Sequence, residues 1–231
     1  YPSSINLGVI SGQLYEGTIE NCSATGRIDC RRGGKQGLVG WAANSTIIAC
    51  ANGTNIVGGY HVGGFAGECS TVELVGCYNY GDLTLRPFTN SNGLIGGLVG
   101  TEVLGKYYGC YNNGTVSSDN AYASGALLGY ACNSALHYCV YKNGSNSNAI
   151  GQRNGVTADI GGFDDLTLAM NDMNTAIANY MSSKGYTYAY RYVVNTDPAT
   201  MTKQPLVLQR VNHLSMTSET EDLGEKSVTT S

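Results

Sequence analysis

The sequence predicts an all-β protein, a right-handed parallel β-solenoid of about five rungs closed by a C-terminal α-helix and β-hairpin. Three observations predict it. A glycine is followed ten residues later by a cysteine five times over: Gly12 and Cys22, Gly40 and Cys50, Gly67 and Cys77, Gly100 and Cys110, Gly129 and Cys139. Around each cysteine, short alternating runs are punctuated by Asn and Gly, a pattern of strands and turns rather than helices. After Gly151 the repeat gives way to one helical pattern and two strand patterns. A fixed period marks supersecondary units that bury their apolar faces only against their neighbours. Right-handedness follows from the bias of parallel strand connections.

Aligned on the cysteine, the repeats read IENCSATGRID, IIACANGTNIV, LVGCYNYGDLT, YYGCYNNGTVS and LHYCVYKNGSN. Apolar residues precede the cysteine, a polar corner follows, and Ile28, Ile56, Leu83 and Val116 resume a strand. Each repeat returns through GLVG, GGFAG, GGLVG or GALLG, where glycines let the backbone turn and the apolar residues between them plug the interior. A buried Leu, Val or Ile contributes roughly 1.5–3 kcal/mol. One repeat alone cannot offset its ordering entropy, whereas a stack can. Successive cysteines lie 28, 27, 33 and 29 residues apart, so length varies only between each cysteine and the next glycine element. The longest excursion, Arg86 to Asn92 with Pro87, is expected to bulge outward. That loop and Arg31 to Gln36 are the expected recognition loops, with Arg86, Phe88, Asn90, Asn92, Arg31 and Arg32 as candidate contacts.

Five of the eight cysteines hold one place in successive repeats. Stacked in parallel register about 4.8 Å apart, they suit disulfide torsions poorly and read as a buried ladder of free thiols. Cys30, Cys69 and Cys132 fall outside that register and are the ones a bridge would involve. No C-x-x-C pair exists and the only histidines are His61, His137 and His213, so no metal or other cofactor is expected. Charged residues make up 13% of the chain, roughly half the usual share. A net charge of -4 with 13 Lys plus Arg offers no broad cationic field, so neither nucleic acid nor anionic lipid is an expected partner. No run approaches the roughly 18–20 apolar residues that cross a bilayer.

The G-G-L-V-G element followed by C-x-N-x-G-x-V closely resembles the GLUG repeat of bacterial surface proteins, which include adhesins and immunoglobulin A peptidase-associated proteins. The resemblance covers about residues 7 to 151 and implies a β-solenoid in a secreted or cell-surface protein. The repeat brings no catalytic residues to carry over. Gly53 and Gly144 are displaced by one residue relative to Gly26, Gly81 and Gly114, so those corners should differ in shape. The first glycine element reads as the end of a rung, and the chain is expected to belong to a longer protein.

The expected organisation is a repeat region over 1–155, a capping region over 156–210 and a flexible tail or linker over 211–231. Asp164 or Asp165 caps a helix of about 165–184, whose Leu166, Met170, Met173 and Ile177 fall at helical spacing and whose C′ glycine is Gly185. Tyr186, Tyr188, Tyr190 and Tyr192 alternate along the first strand of a hairpin over about 186–209. This unit is expected to close the open edge and apolar core of the last rung.

Among candidate chemistries, pectin-cleaving β-helix enzymes need clustered carboxylates, and the acidic residues here recur at no fixed register. His137 stands two residues before Cys139 within a structural ladder, a poor setting for a thiol dyad. Neither a G-x-S-x-G elbow nor an H-E-x-x-H helix is present, and no catalytic residue is assigned. Tyr78, Tyr80 and Tyr111 read either as a sheet-stabilising ladder or as a solvent-facing strip for a ligand. Trp41 suits core packing and an exposed platform equally. Five N-x-S/T triplets occur, four of them near the corners, and turn chemistry explains them without glycosylation. The expected function is a non-enzymatic adhesion or interaction module at the bacterial cell surface, displaying loops to a glycan or protein of a host or neighbouring cell. The alternatives are a structural spacer and a carbohydrate-active enzyme.

Overall fold

The computed structural model describes residues 5–31, 33–86, 93–119 and 121–212. The described residues are mostly β, with one large parallel sheet and, among them, a single α-helix, Met170–Ser183. The strands of each repeat hydrogen-bond in parallel to the same strands of the next. Gln13, Trp41, Glu68, Thr101, Tyr130 and Gln152 consequently fall into one register column. That column contains one repeat more than the cysteines mark. Ile150–Asn154 pairs with Leu128–Cys132, and Thr157–Phe163 pairs with Ala135–Lys142. This last repeat keeps its glycine, Gly151, but sets Ile160 opposite Cys139. Parallel pairing therefore continues past residue 155 to Phe163.

Two left-handed corners explain why the glycine-to-cysteine interval never varies. Four residues after each repeat glycine stand Glu16, Asn44, Thr71, Leu104, Asn133 and Gly155, with φ between 47° and 62°. Nine residues after it stand Asn21, Ala49, Gly76, Gly109 and Tyr138, with φ between 51° and 58°. Most of these are not glycine, and such a conformation costs roughly 1–3 kcal/mol each, so it persists only where its surroundings over-determine it. Stacking of corner on corner supplies that constraint, and an inserted residue would throw one corner out of line.

The cysteine follows the second corner because of what its thiol can do there. Each Sγ donates to the carbonyl two residues back, at Glu20 (3.3 Å), Ile48 (3.2 Å), Val75 (3.5 Å), Tyr108 (3.6 Å) and His137 (3.7 Å). A small apolar side chain with a weak donor fills the core and also satisfies a turned-in carbonyl. All eight cysteines are free thiols, Cys30, Cys69 and Cys132 included. Burial pushes the Cys77 and Cys139 thiols up, which keeps them protonated and inert.

A second interior ladder runs two residues beyond the cysteines. Asn52, Asn79 and Asn112 are fully buried in register. Asn52 Nδ2 donates to Asn79 Oδ1 (3.3 Å), and Asn79 Nδ2 to Asn112 Oδ1 (2.8 Å). Their amides also reach across the core to the glycine corners, Asn52 to the Gly64 carbonyl (2.7 Å) and Asn112 to that of Ala126 (2.9 Å). A Cβ at Gly97 would collide with the Asn112 amide, so the doubled glycine of GGLVG makes room for this bridge. The asparagines thus act as interior struts as well as turn formers.

The C-terminal unit departs most from expectation. Asp165 caps a short 3-10 turn, Leu166–Ala169, by accepting from the Thr167 N–H (2.9 Å), and the α-helix proper is Met170–Ser183. Tyr188–Val194 and Leu206–Asn212 form the antiparallel hairpin, and the remainder of the expected tail, 213–231, lies outside the described residues. Instead of closing the last repeat, helix and hairpin lie along the flank of the sheet. Tyr188 and Tyr190 donate to Glu20 Oε1 in the first repeat (2.7 and 2.9 Å), Tyr180 donates to Glu73 Oε2 in the third (2.7 Å), and Tyr111 in the fourth donates to the Leu206 carbonyl (2.8 Å). The reason is an apolar stripe of Ile48, Val75, Tyr78 and Tyr111 that spans several repeats. The helix seats over the second corners, where Gly109 (φ 58°) leaves the space; a Cβ there would lie 2.5 Å from the Met173 carbonyl and 2.8 Å from the Ile177 side chain.

Candidate ligand-binding face

With one flank covered, the outward side of the glycine arm remains. Ala42, Cys69, Glu102 and Ala131 point inward and are buried. Strand alternation therefore turns Trp41, Glu68, Thr101 and Tyr130 outward. Together with Gln13 and Gln152 they make a strip of half-buried and exposed side chains, spaced by about 4.8 Å per repeat. The strip's charges are paired off. Lys35 Nζ lies 3.1 Å from Glu68 Oε1. His61 Nε2 is 3.9 Å from the other carboxylate oxygen, but burial, and secondarily Lys35, lower its pKa to about 4. It is neutral near pH 7, with its ring against Tyr60 at 3.8 Å.

At its C-terminal end the strip meets a polar groove of about 410 Å³ lined by Tyr122, Ser124, Asn146, Asn148 and Gln152 among others. Asn146 is held there: Nδ2 donates to Ser124 Oγ (2.7 Å) and to the Val116 carbonyl (3.1 Å), while Oδ1 accepts from the Asn148 N–H (3.1 Å). Tyr122 stands 59% exposed beside it. Rings, hydroxyls and amides without an unpaired charge suit a neutral, polyhydroxylated ligand, offering ring faces to C–H surfaces and fixed amides to hydroxyls. Glu102, directly behind Thr101, takes no part in such a face. It is fully buried, burial raises its pKa to about 7, and Oε2 accepts from the Gly105 N–H (2.7 Å).

The structure separates the expected contact residues. Tyr78 and Tyr111 are buried beneath the hairpin, stacked on each other at 4.8 Å with Tyr192 5.4 Å from Tyr111, so they pack rather than bind. Tyr80 is half-buried, its ring over Gly53. Their strip is apolar enough to attract the C-terminal unit, and that is what covers it. Arg31 is exposed and paired with Asp29 (3.0 Å), and Arg86 with Asp119 (3.2 Å). Arg32, Phe88, Asn90 and Asn92 lie outside the described residues. The segment Arg31 to Gln36 is only partly a loop: Lys35 opens the strand Lys35–Ile48, and Gln36 is buried with Nε2 donating to the Gly33 carbonyl (2.8 Å). Trp41 is half-buried on the uncovered face.

Tyr122, Tyr130, Asn146 and Gln152 were not singled out from the sequence. For Tyr130 and Gln152 a signal existed, since the residue immediately after each repeat glycine is the outward one; Tyr122 and Asn146 stand at no such position. Among the described residues no three His, Cys, Asp or Glu side chains converge to hold a metal ion, and no helix is long and apolar enough to cross a membrane. No family model, no curated protein and no solved structure matches the chain.

Proposed function

We propose that this chain is a right-handed parallel β-solenoid of the GLUG-repeat kind, serving outside a bacterial cell as an adhesion or interaction module that binds a neutral glycan of a host or neighbouring cell. The observation that carries this reading is the uncovered strip of Trp41, Thr101, Tyr130 and Gln152 leading into the groove of Tyr122 and Asn146. The glycan-repeat spacing need not match the strand spacing, because aromatic platforms three repeats apart leave room for several sugar rings between them. The parallel register of the repeats and the free-thiol core support the solenoid. Binding to a panel of neutral and acidic glycans tests the function. Trp41→Ala and Tyr122→Ala should each weaken the best neutral ligand tenfold or more and leave thermal unfolding unchanged. Binding to none of the panel would leave the spacer role as the better account.

A further inference from the structure

The helix Met170–Ser183 does not lie flush on the sheet along its whole length. Two cavities open between it and the fourth to sixth repeats, and Tyr138 borders both. The first, of about 260 Å³, combines the apolar Val140, Ile160 and Met173 with the exposed carboxylates of Asp159 and Asp172. The second, of about 220 Å³, is walled by Tyr108, His137, Tyr180 and Asn179. Asp172, Met173, Ala176, Asn179, Tyr180 and Ser183 recur at the steps of one helix face, so the two cavities form a single groove along the helix.

Two features set this groove apart. Asp29, Glu68, Glu73 and Asp119 each lie in an ion pair, whereas Asp159 and Asp172 pair with no cation among the described residues. Asp172 also complements the helix dipole from the first turn; Asp159 has no such part. The second feature is Tyr138 itself. It holds a left-handed φ of 51° with its side chain 45% exposed, where the third and fourth repeats place Gly76 and Gly109. Glycine meets the same stacking demand without strain, so stacking does not call for a ring there, and strained residues cluster at ligand clamps.

We propose that this groove docks an extended segment of a partner protein carrying a lysine, with an aromatic side chain about four residues away. The lysine stem lies along Val140, Ile160 and Met173, and its ammonium meets the two carboxylates and the Tyr138 ring. The aromatic residue enters beside Tyr108 and Tyr180, whose own rings are 4.7 Å apart. Asp172 and Tyr180 are about 12 Å apart along the helix, the span of about four extended residues, which point to the same side. The chain's own residues 213–231 suit the groove poorly, with Glu219, Glu221, Asp222 and Glu225 against Lys226.

The test is selection from a displayed library of random peptides on the whole chain, followed by binding of the selected peptides to variants. The expected peptides carry lysine and an aromatic residue at that spacing. Asp159→Asn and Tyr138→Gly should each weaken them about tenfold, and added salt should weaken them further. Tyr138→Gly should not lower thermal unfolding, and Asp29→Asn should leave binding unchanged. No selected peptide, peptides indifferent to Asp159→Asn, or acidic peptides resembling the chain's own C-terminal residues would overturn the proposal. So would a dimer that Asp159→Asn converts to monomer, since a second copy would then be the occupant.

Discussion

Two outward aromatic columns of this protein had different fates. On the cysteine arm, Tyr78 and Tyr111 lie under the C-terminal hairpin; on the glycine arm, Trp41 and Tyr130 remain beside solvent. The difference lies in their neighbours. Tyr78 and Tyr111 sit among Ile48, Val75 and Ala51, a surface whose apolar area continues from repeat to repeat, while Trp41 and Tyr130 are interspersed with Glu68, Thr101 and Gln152. Covering the first removes apolar area from water, whereas covering the second would desolvate a carboxylate and amides. An aromatic residue on a repeat therefore says little about binding until the rest of its column is read.

The largest expected effect tests this contrast directly. Tyr111→Ala should cost about 3–5 kcal/mol, as for other fully buried aromatics, in urea unfolding, while Trp41→Ala should cost less than about 1 kcal/mol. Equal losses would mean that the exposed column is structural too.

Behind that exposed column lies Glu102, whose pKa in the fold is about 7 against an ordinary 4.5. A raised carboxyl pKa means that its protonated form is favoured in the fold. Its contribution is fully present below about pH 4.5 and is lost as pH rises through about 7. Glu102→Gln should therefore gain on the native protein by about 3 kcal/mol between pH 4.5 and 8, read from urea midpoints across that range. Parallel pH profiles for the two proteins would place the carboxyl in contact with water.

The interior struts come next. Asn79→Ala removes the amide between Asn52 and Asn112 and should cost about 1–3 kcal/mol, with the loss in hydrogen-exchange protection centred on the repeats that the ladder joins. Smallest is the outer anchor of the hairpin. Glu20→Gln weakens the acceptor for Tyr188 and Tyr190 and should cost about 1 kcal/mol. Exchange at Tyr188–Val194 should quicken while the parallel sheet is unchanged; quickening across the whole sheet would show that the two units unfold together.

Periodicity made much of this legible beforehand. Five copies of one interval predicted repeats in parallel register with stacked cysteines, and Asp165 and Gly185 marked the helical segment before any contact was known. The sixth repeat escaped notice because it carries Ile160 where a cysteine would have marked it. The asparagine struts escaped because Asn after a strand reads as a turn residue, and only the opposite corner shows where its amide goes. The candidate face was least legible. Trp41 was visible as a choice between core and platform, but Tyr122 and Asn146 belong to different repeats that pairing brings to one groove.

What the sequence by itself determined is the repeat unit: its period, its stacked cysteines and the apolar plugs of its glycine elements, all local consequences of backbone and side-chain chemistry. Only the tertiary structure decided which outward column would be buried. That choice depends on apolar area summed over several repeats, on the gap left at Gly109 and on Glu20 and Glu73 lying within reach of tyrosines more than a hundred residues away. No single repeat contains that sum, so no single repeat could reveal it.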